Sequence, residues 1–311
     1  MKRTRTTTIA ACAAASLALT GLLAGCSVGP VNLDDFFGTP SVAEAREARR
    51  STLSPVVTSD ALRQADTLTV GIPTSETAPL VLTSSSGERA GIDIDLAYAL
   101  ADELGLGSVV FVTVDDVSTA LSESCDVVMG VESSSAEGAT VAGSYVQSAT
   151  ALFTKGDVTA PIDASALAGA TVGVQGGSVS EGVLNDYETG ATASTFSNLN
   201  EAFDALEEGT VDYVLCDAYA GAYLATAYPG TVFAGTLDEP VPVGVAVGEG
   251  ELQSAVQGAL DAIQTGGVGD IVRSRWVGSL PSLSSETRVT GLVEASADQA
   301  AADGAQDASA E

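Results

Sequence analysis

A repeating alternation of short β-branched runs with amphipathic helical segments is the sequence feature that most constrains this fold. The run TLTVGIP at residues 67–73 is followed by IDIDLAYALADELG at residues 92–105, where Leu96, Leu100 and Leu104 share one helical stripe. The next strands are VVFVTV and CDVVMGV, with the helical stretch DVSTALSES between them. Repeated units of this length predict parallel strands joined by right-handed crossovers, with helices on both faces of the sheet.

After the stretch ATALFTK the same pattern starts again and predicts a second sheet. Its strands are TVGVQG, ATASTF and VDYVLCD, and its helices are one that begins at Ser178 and one formed by NLNEAFDALEEG. The run VPVGVAVG then returns the chain to a long helix that ends near RSRWVG. The sequence therefore predicts an α/β fold of two lobes joined by two hinge crossings. Lobe one is expected at about residues 64–150 and 240–281, and lobe two at about 151–239. In open α/β sheets, ligands bind at the carboxyl ends of the strands.

The two ends of the chain have compositions typical of connectors. Residues 27–60 mix Gly, Pro, Ser and Thr with one short charged stretch, SVAEAREARR, which predicts a flexible spacer over residues 26–63. From Ser282 onward the chain is rich in Ala, Ser and Asp and has few large apolar residues. Residues 282–311 are therefore expected to form a disordered acidic tail, and the folded body to span residues 64–281.

The N-terminus has the features of an export signal. Lys2, Arg3 and Arg5 precede an apolar run that is too short to span a membrane and that stops at the residues LLAGC. This ending resembles the lipobox of bacterial lipoproteins, which implies that residues 1–25 are removed and that Cys26 is acylated. More than one acyl chain anchors a protein stably. The mature protein is therefore expected outside the cytoplasm, lipid-anchored to the cell membrane.

The charge balance and the absence of histidine exclude several classes of function. The chain has 41 Asp and Glu against 12 Lys and Arg, so it offers no basic surface to a nucleic-acid partner. Without histidine it lacks the commonest metal ligand and general base, and we predict neither a metal nor a cofactor. Cys12 lies in the signal. Cys125 and Cys216 are expected to be buried free thiols, although a disulfide between them stays open.

Six segments resemble, in order and spacing, the family 3 extracellular solute-binding proteins. They are LTVGIP, GERAGIDIDLAYALADELG, CDVVMG, LAGATVGVQGGSVSEGVL, LNEAFDALEEGTVDYVLCDAYAGAYLA and GELQSAVQGALDAIQTGGVGDIVRSRWVG. The resemblance covers roughly residues 64–279. It implies the two-lobed type II periplasmic-binding fold and a monomeric receptor for an amino acid or another small polar solute. It also implies a partner, the membrane permease of an ABC importer.

Two site elements of this family have matching residues here. Family members commonly hold the carboxylate of an amino-acid ligand with a Gly-Ser or Gly-Thr turn at a helix N-terminus, and the resemblance assigns that role to Gly177, Ser178 and the N–H of Val179. They commonly hold the amino group with an Asp at the end of a lobe-two strand, which corresponds to Asp217 in LCDAY. Ser178 and Asp217 also have a simpler alternative role as helix N-caps.

The remaining site elements depart from the family pattern. The motif that usually carries a ligand-binding Arg reads SSSAEG, with Ser133 and Ser135 at the hydroxyl positions and Gly138 where the Arg is usual. After the first strand, Glu76 and Thr77 stand where an aromatic side chain often stacks on the ligand. These four side chains either contact the solute or are ordinary loop residues. Because a bidentate guanidinium is the strong part of a carboxylate site, the cleft is expected to prefer neutral or cationic amine-bearing solutes.

Three functions fit these patterns, and we predict the first. It is a membrane-tethered receptor, not an enzyme, that captures a small polar solute and delivers it to an ABC importer. The second is a degenerate receptor that binds no small molecule and acts as a sensory or scaffold protein, which Gly138 favours. The third is an exported enzyme on the same fold, which the lack of histidine and of a suitably spaced carboxylate pair disfavours.

Overall fold

The computed structural model describes residues 52–75, 78–133 and 139–295. In these ranges the chain forms two five-stranded sheets, a two-stranded hairpin and seven α-helices. Each five-stranded sheet contains parallel strands, as the alternating pattern predicts, and also antiparallel ones. The result is a mixed α/β architecture.

The first sheet has the strand order β4-β1-β5-β12-β6. Its strands are β1 (Thr67–Pro73), β4 (Ser108–Val114), β5 (Val127–Glu132), β6 (Thr140–Ser148) and β12 (Val241–Val247). β1 runs parallel to β4 and β5, whereas β12 runs antiparallel to β5 and β6. The small hairpin pairs β2 (Leu82–Thr83) with β3 (Arg89–Ala90).

Four helices accompany the first sheet. They are α1 (Ile92–Glu103), α2 (Val117–Glu123), α6 (Glu251–Thr265) and α7 (Val268–Val277). The predicted apolar stripe of Leu96, Leu100 and Leu104 is buried in the core, as expected. Helix α1 starts after Gly91, whose φ of 135° and close approach to the carbonyl of Leu80 leave no room for a Cβ atom.

The second sheet has the strand order β11-β7-β10-β8-β9. Its strands are β7 (Thr150–Lys155), β8 (Thr171–Gln175), β9 (Thr192–Phe196), β10 (Tyr213–Asp217) and β11 (Thr231–Thr236). β8, β9 and β10 are parallel, and β7 runs antiparallel to β10 and β11. The helices of this half are α3 (Val179–Asn185), α4 (Leu199–Glu208) and α5 (Ala218–Ala225).

Two connections carry the chain from one sheet to the other. One runs from β6 through Ala149 to β7, and the other runs from β11 through residues 237–240 to β12. They are held side by side, because the Leu237 amide donates to the Thr150 carbonyl (2.9 Å). Helix α7 packs against α1 and α6 of the first sheet and also against α5 of the second. The two halves therefore share helix contacts as well as the two crossings.

The segment after α7 does not follow the prediction of a disordered tail from Ser282. Residues 280–295, which we call the C-terminal strap, return to the second sheet, where the Val289 amide donates to the Thr236 carbonyl (2.8 Å). Leu283 and Val289 are buried in the cores. The prediction is therefore wrong for residues 282–295, because two isolated apolar side chains and backbone pairing suffice to dock this segment. Residues 296–311 lie outside the described ranges.

The predicted N-terminal spacer also extends too far along the chain. Val57 is buried in the core, and the Val56 amide donates to the carbonyl of Leu104 (3.1 Å) at the end of α1. The Arg63 amide donates to Asp126 Oδ1 (2.6 Å) at the start of the third predicted strand. Residues 52–63 are thus part of the folded body. The signal, Cys26 and the rest of the spacer lie outside the described residues.

Cys125 and Cys216 are buried and unbridged, in agreement with the expectation of free thiols. Burial raises the pKa of both thiols above the usual value. None of the helices in the described part of the chain combines the length and the apolar character needed to cross a bilayer.

Candidate functional site

The strand ends that were predicted to carry the site lie at the edge of each sheet from which the crossings leave. In the first sheet, Ser148 at the end of β6 pairs with Val241 at the start of β12, and β5 ends opposite Val243. In the second sheet, Asp217 at the end of β10 pairs with Thr150 at the start of β7. We call these two edges the crossing edges. Carboxyl ends of parallel strands at such an edge are the usual ligand position in α/β folds.

Asp217 stands at the crossing edge of the second sheet and caps α5. Its Oδ1 accepts a hydrogen bond from the Ala220 amide (2.8 Å). The residue is accessible to solvent, yet desolvation by the protein atoms around it raises the pKa of its carboxyl, against the lowering effect of the hydrogen bonds from Ala220 and Tyr219. Protein atoms thus crowd a carboxyl that still reaches solvent. Because a carboxylate has about four acceptor positions, the cap leaves capacity for a ligand.

The Gly-Ser turn lies beside Asp217 and caps α3. The register of β8 with β10, in which Val214 is opposite Gly173, brings the turn after Gln175 next to the end of β10. Ser178 Oγ accepts from the Glu181 amide (3.3 Å), so Ser178 is an N-cap, as one of its two predicted roles requires. The side chain of Val179 is 81% exposed. The structure thus brings two of the sequence-predicted elements together on one sheet.

The Gly177 amide, which the sequence assigns to a solute anion, donates to the chain's own carboxylate. Its acceptor is Glu181 Oε2, at 2.7 Å. An acid is favourable there because the first amides of a helix are unpaired and carry positive partial charge. A solute carboxylate at this turn therefore competes with Glu181. Sequence reasoning missed this contact, although an acid three residues after an N-cap serine is a recognisable capping signal.

Of the predicted lobe-one residues, Ser133 is described and has a structural partner. Its amide and its Oγ both donate to the carbonyl of Pro242, at 3.1 and 3.3 Å. These bonds tie the end of β5 to the start of β12 beside a crossing. Glu76, Thr77, Ser135 and Gly138 lie outside the described residues, in the segments that follow β1 and β5.

A second carboxylate, Asp238, lies at the same crossing edge and was missed by the sequence analysis. Its Oδ1 accepts from the Thr150 amide (2.7 Å). Because β7 lies between β10 and β11, Thr150 stands between Asp217 and Asp238. Desolvation raises the pKa of Asp238, and its negative charge in turn raises the pKa of Asp217. The Asp in TLDEPVP is visible in the sequence, but only the strand register places it near Asp217.

The ion pairs found among the described residues include neither of these two carboxyls. They join Lys155 with Glu207 (2.8 Å), Arg273 with Asp270 (2.7 Å) and Arg275 with Asp95 (3.3 Å). In the described ranges, no group of three His, Cys, Asp or Glu residues is arranged to hold a metal ion. With two carboxyls outside these ion pairs, and with Arg288 as the cation near Asp238, the crossing edge of the second sheet suits a ligand cation better than an anion.

Asp93, which the sequence places at the start of α1, is fully buried. Its Oδ1 accepts from the Tyr145 hydroxyl (2.8 Å), which itself accepts from the Gly130 amide (2.7 Å), whereas its Oδ2 has no hydrogen-bond partner. Desolvation raises the pKa of Asp93 from 3.8 to about 7, although the bond from Tyr145 lowers it. Its hydrogen bond joins α1 to β6 rather than capping its own helix, and the carboxyl lies beneath the surface rather than in the site.

We expect Asp93→Asn to remove a pH dependence from the folding stability. Because the folded chain binds a proton on Asp93 up to about pH 7, whereas the unfolded chain releases it near 3.8, wild-type stability falls as pH rises through this window. The variant should melt at least about 3 °C higher than wild type at pH 8 and close to it at pH 4. Calorimetric melting across pH measures this. The exposed Asp157→Asn is the control, and an unchanged pH profile in the Asp93 variant contradicts the expectation.

Comparisons with known proteins agree with this architecture. The sequence profile of the bacterial extracellular solute-binding proteins, family 3, matches residues 68–279. An ancestral cationic amino acid solute-binding protein is 28% identical, with a TM-score of 0.58 over 68% of this chain and 96% of that chain. No curated protein sequence matches.

Two further solved structures, both in open conformations, are similar in fold. The L-cystine solute receptor of Neisseria gonorrhoeae is 21% identical, with a TM-score of 0.59 over 70% of this chain and 95% of that chain. The second substrate-binding domain of GlnP from Lactococcus lactis is 21% identical, with a TM-score of 0.57 over 69% and 96%. At 21% identity, these two structures show a similar fold and nothing about the ligand. The predicted two-lobed α/β fold is confirmed.

Proposed function

This chain belongs to the bacterial extracellular solute-binding proteins, family 3, and from that premise we propose that it captures a small amine-bearing solute between its two lobes. The solute is an amino acid or a related amine that is neutral or cationic overall. A ligand that touches both lobes favours the closed arrangement by its greater affinity for that state. The protein then delivers the solute to the permease of an ABC importer.

The observation that carries this proposal is the carboxyl of Asp217 at the crossing edge, with Asp238 close by. A partly desolvated carboxylate gains a charge-assisted hydrogen bond from an ammonium group. An acidic solute meets like-charge repulsion and desolvation at the same place. The similarity to an ancestral cationic amino acid solute-binding protein supports the same class of ligand.

The remaining contacts of the proposed site come from three loops. Gly177, Ser178 and Val179 offer amides and a hydroxyl to the polar end of the solute, in competition with Glu181. Ser133 keeps accepting capacity on its hydroxyl while it donates to Pro242. From the segments outside the described residues we propose three further contacts, namely Glu76, Thr77 and Ser135.

Native mass spectrometry of protein purified without denaturation tests the capture of a solute. We expect a species heavier than the apo chain by the mass of a small amine. This heavier species should disappear after partial unfolding and refolding, because the solute is released. A single apo mass, together with no thermal stabilisation by any amino acid, counts against capture.

A receptor that binds no small molecule and acts as a sensory or scaffold protein is the competing function. Two observations favour it: the carboxylate of Glu181 already occupies the Gly177 amide, and Gly138 stands where the family usually has an Arg. An enzymatic function has less support, because a sequence without histidine lacks the commonest general base. Solute binding without turnover separates the three.

We further propose that residues 1–25 are removed and that acylated Cys26 anchors the protein to the outer face of the cell membrane. Cys26→Ala should abolish lipid attachment, because the signal places no other thiol at its cleavage site. Metabolic labelling with a fatty acid measures this, with Cys12→Ala as the matched control that keeps the label. Label retained by the Cys26 variant contradicts the anchor.

A further inference from the structure

The C-terminal strap brings a guanidinium to the edge of the second sheet that carries the proposed site. Arg288 pairs with Thr236 as an isolated parallel bridge, just before the chain leaves β11 for the crossing. Its Nε donates to the Leu237 carbonyl (2.9 Å), and its Nη2 donates to the Tyr187 hydroxyl (3.0 Å). The guanidinium carbon lies 5.5 Å from the centre of the Tyr187 ring. Three contacts thus fix the position of this cation.

The carbonyl that Arg288 binds belongs to the residue before Asp238. That carboxyl is held by the Thr150 amide at 2.7 Å, and Thr150 also pairs with Asp217 across β7 and β10. The charge of Arg288 lowers the pKa of Asp238 and opposes the effect of desolvation, while Asp238 raises the pKa of Asp217. A chain of electrostatic contacts therefore runs from the strap to the proposed amine-binding carboxyl.

The family profile ends at residue 279, so the strap lies beyond the matched part of the chain. The sequence of the matched part lacks an Arg at position 138, where Gly138 stands. Arg288 is therefore a cation that lies outside the part of the chain that matches the family profile. It reaches the second sheet rather than the loop after β5.

We propose that the positive charge of Arg288 offsets part of the negative charge of Asp238 and Asp217, so that the site favours solutes with an extra positive charge less strongly than the two carboxyls alone would. The inference rests on the proposed function. Leu237, whose carbonyl Arg288 binds, and Asp217 lie on either side of Thr150 in β7, which is about 10 Å between backbones. A unit charge at this distance near a protein surface changes an affinity by about two- to tenfold.

Calorimetric affinities for arginine and glutamine in Arg288→Gln and Arg288→Lys test the proposal. Arginine carries one more positive charge than glutamine, so loss of the Arg288 charge should favour arginine over glutamine by at least about threefold at low salt and by less at high salt. Arg288→Lys should keep the wild-type ratio within about twofold. A merely structural role of Arg288 changes both affinities by the same factor, and an unchanged ratio in Arg288→Gln overturns the proposal.

Tyr187→Phe is the matched control, because it removes a hydrogen bond of Arg288 and keeps the charge. We expect it to leave the ratio unchanged; a ratio shifted as in Arg288→Gln contradicts a charge effect. If wild type binds neither amino acid, the failure lies with the choice of solute and not with Arg288, and NMR titration of the Asp238 carboxyl gives a separate answer on the coupling. An Asp238 pKa that rises in Arg288→Gln and keeps its wild-type value in Arg288→Lys supports the coupling, and a pKa unchanged in both variants overturns it.

Discussion

Asp217→Asn should weaken binding of an amine-bearing amino acid by at least about thirtyfold, roughly 2 kcal/mol, because the charge-assisted hydrogen bond to the ammonium group is lost where water is scarce. The fold should survive, since asparagine caps helices about as well as aspartate and the Ala220 amide keeps an acceptor. Isothermal titration calorimetry measures the loss, and the melting temperature reports on folding.

Asp116→Asn is a matched control for this prediction. Asp116 caps α2 in the other lobe with the same geometry, since its Oδ1 accepts from the Thr119 amide at 2.7 Å. The control loses the same kind of charge at the same position of a helix and should bind like wild type. Equal weakening in both variants means that the effect is general charge loss, and no weakening in Asp217→Asn means that the amine site lies elsewhere.

Val289→Asp should lower the free energy of unfolding by about 3 kcal/mol or more. The valine side chain is 3% exposed and packs in the core of the second sheet, so the substitution buries an unpaired charge there. For a body of this size we expect the melting temperature to fall by about 6–12 °C. Differential scanning calorimetry of the mature chain is the measurement.

Val293→Asp provides the comparison within the same strap. Its side chain is 57% exposed, and only its backbone carbonyl is used, by the Glu188 amide at 2.8 Å. This variant should melt within about 2 °C of wild type. Two variants that both melt like wild type contradict the docking of the strap, and two that both melt far below it show that any added charge is harmful there.

The sheets, the crossings and the helix caps were predictable because their signals are local. The β-branched runs and helical apolar patterns identify β1, α1 and β10, and the restart after residue 155 identifies the second sheet. Ser178 and Asp217 precede helices and are residue types that cap them. These features depend on neighbours within a few positions along the chain.

The strap and the surroundings of Asp217 were not predictable in the same way. The average composition after Ser282 indicates disorder, whereas docking depends on Leu283, Val289 and Arg288 meeting distant partners. Likewise Asp238 is an ordinary loop acid in the sequence. Only the strand register, which is a tertiary property, brings it to the edge that carries Asp217.

The central claim is that the cleft accepts neutral or cationic amine-bearing solutes and disfavours acidic ones. Calorimetric titration of the mature chain with arginine, lysine, glutamine, glutamate and aspartate tests it most directly. We predict micromolar or tighter binding of at least one of the first three, and affinities at least about tenfold weaker for glutamate and aspartate. Tight binding of glutamate or aspartate, or no heat from any of the five, would contradict it.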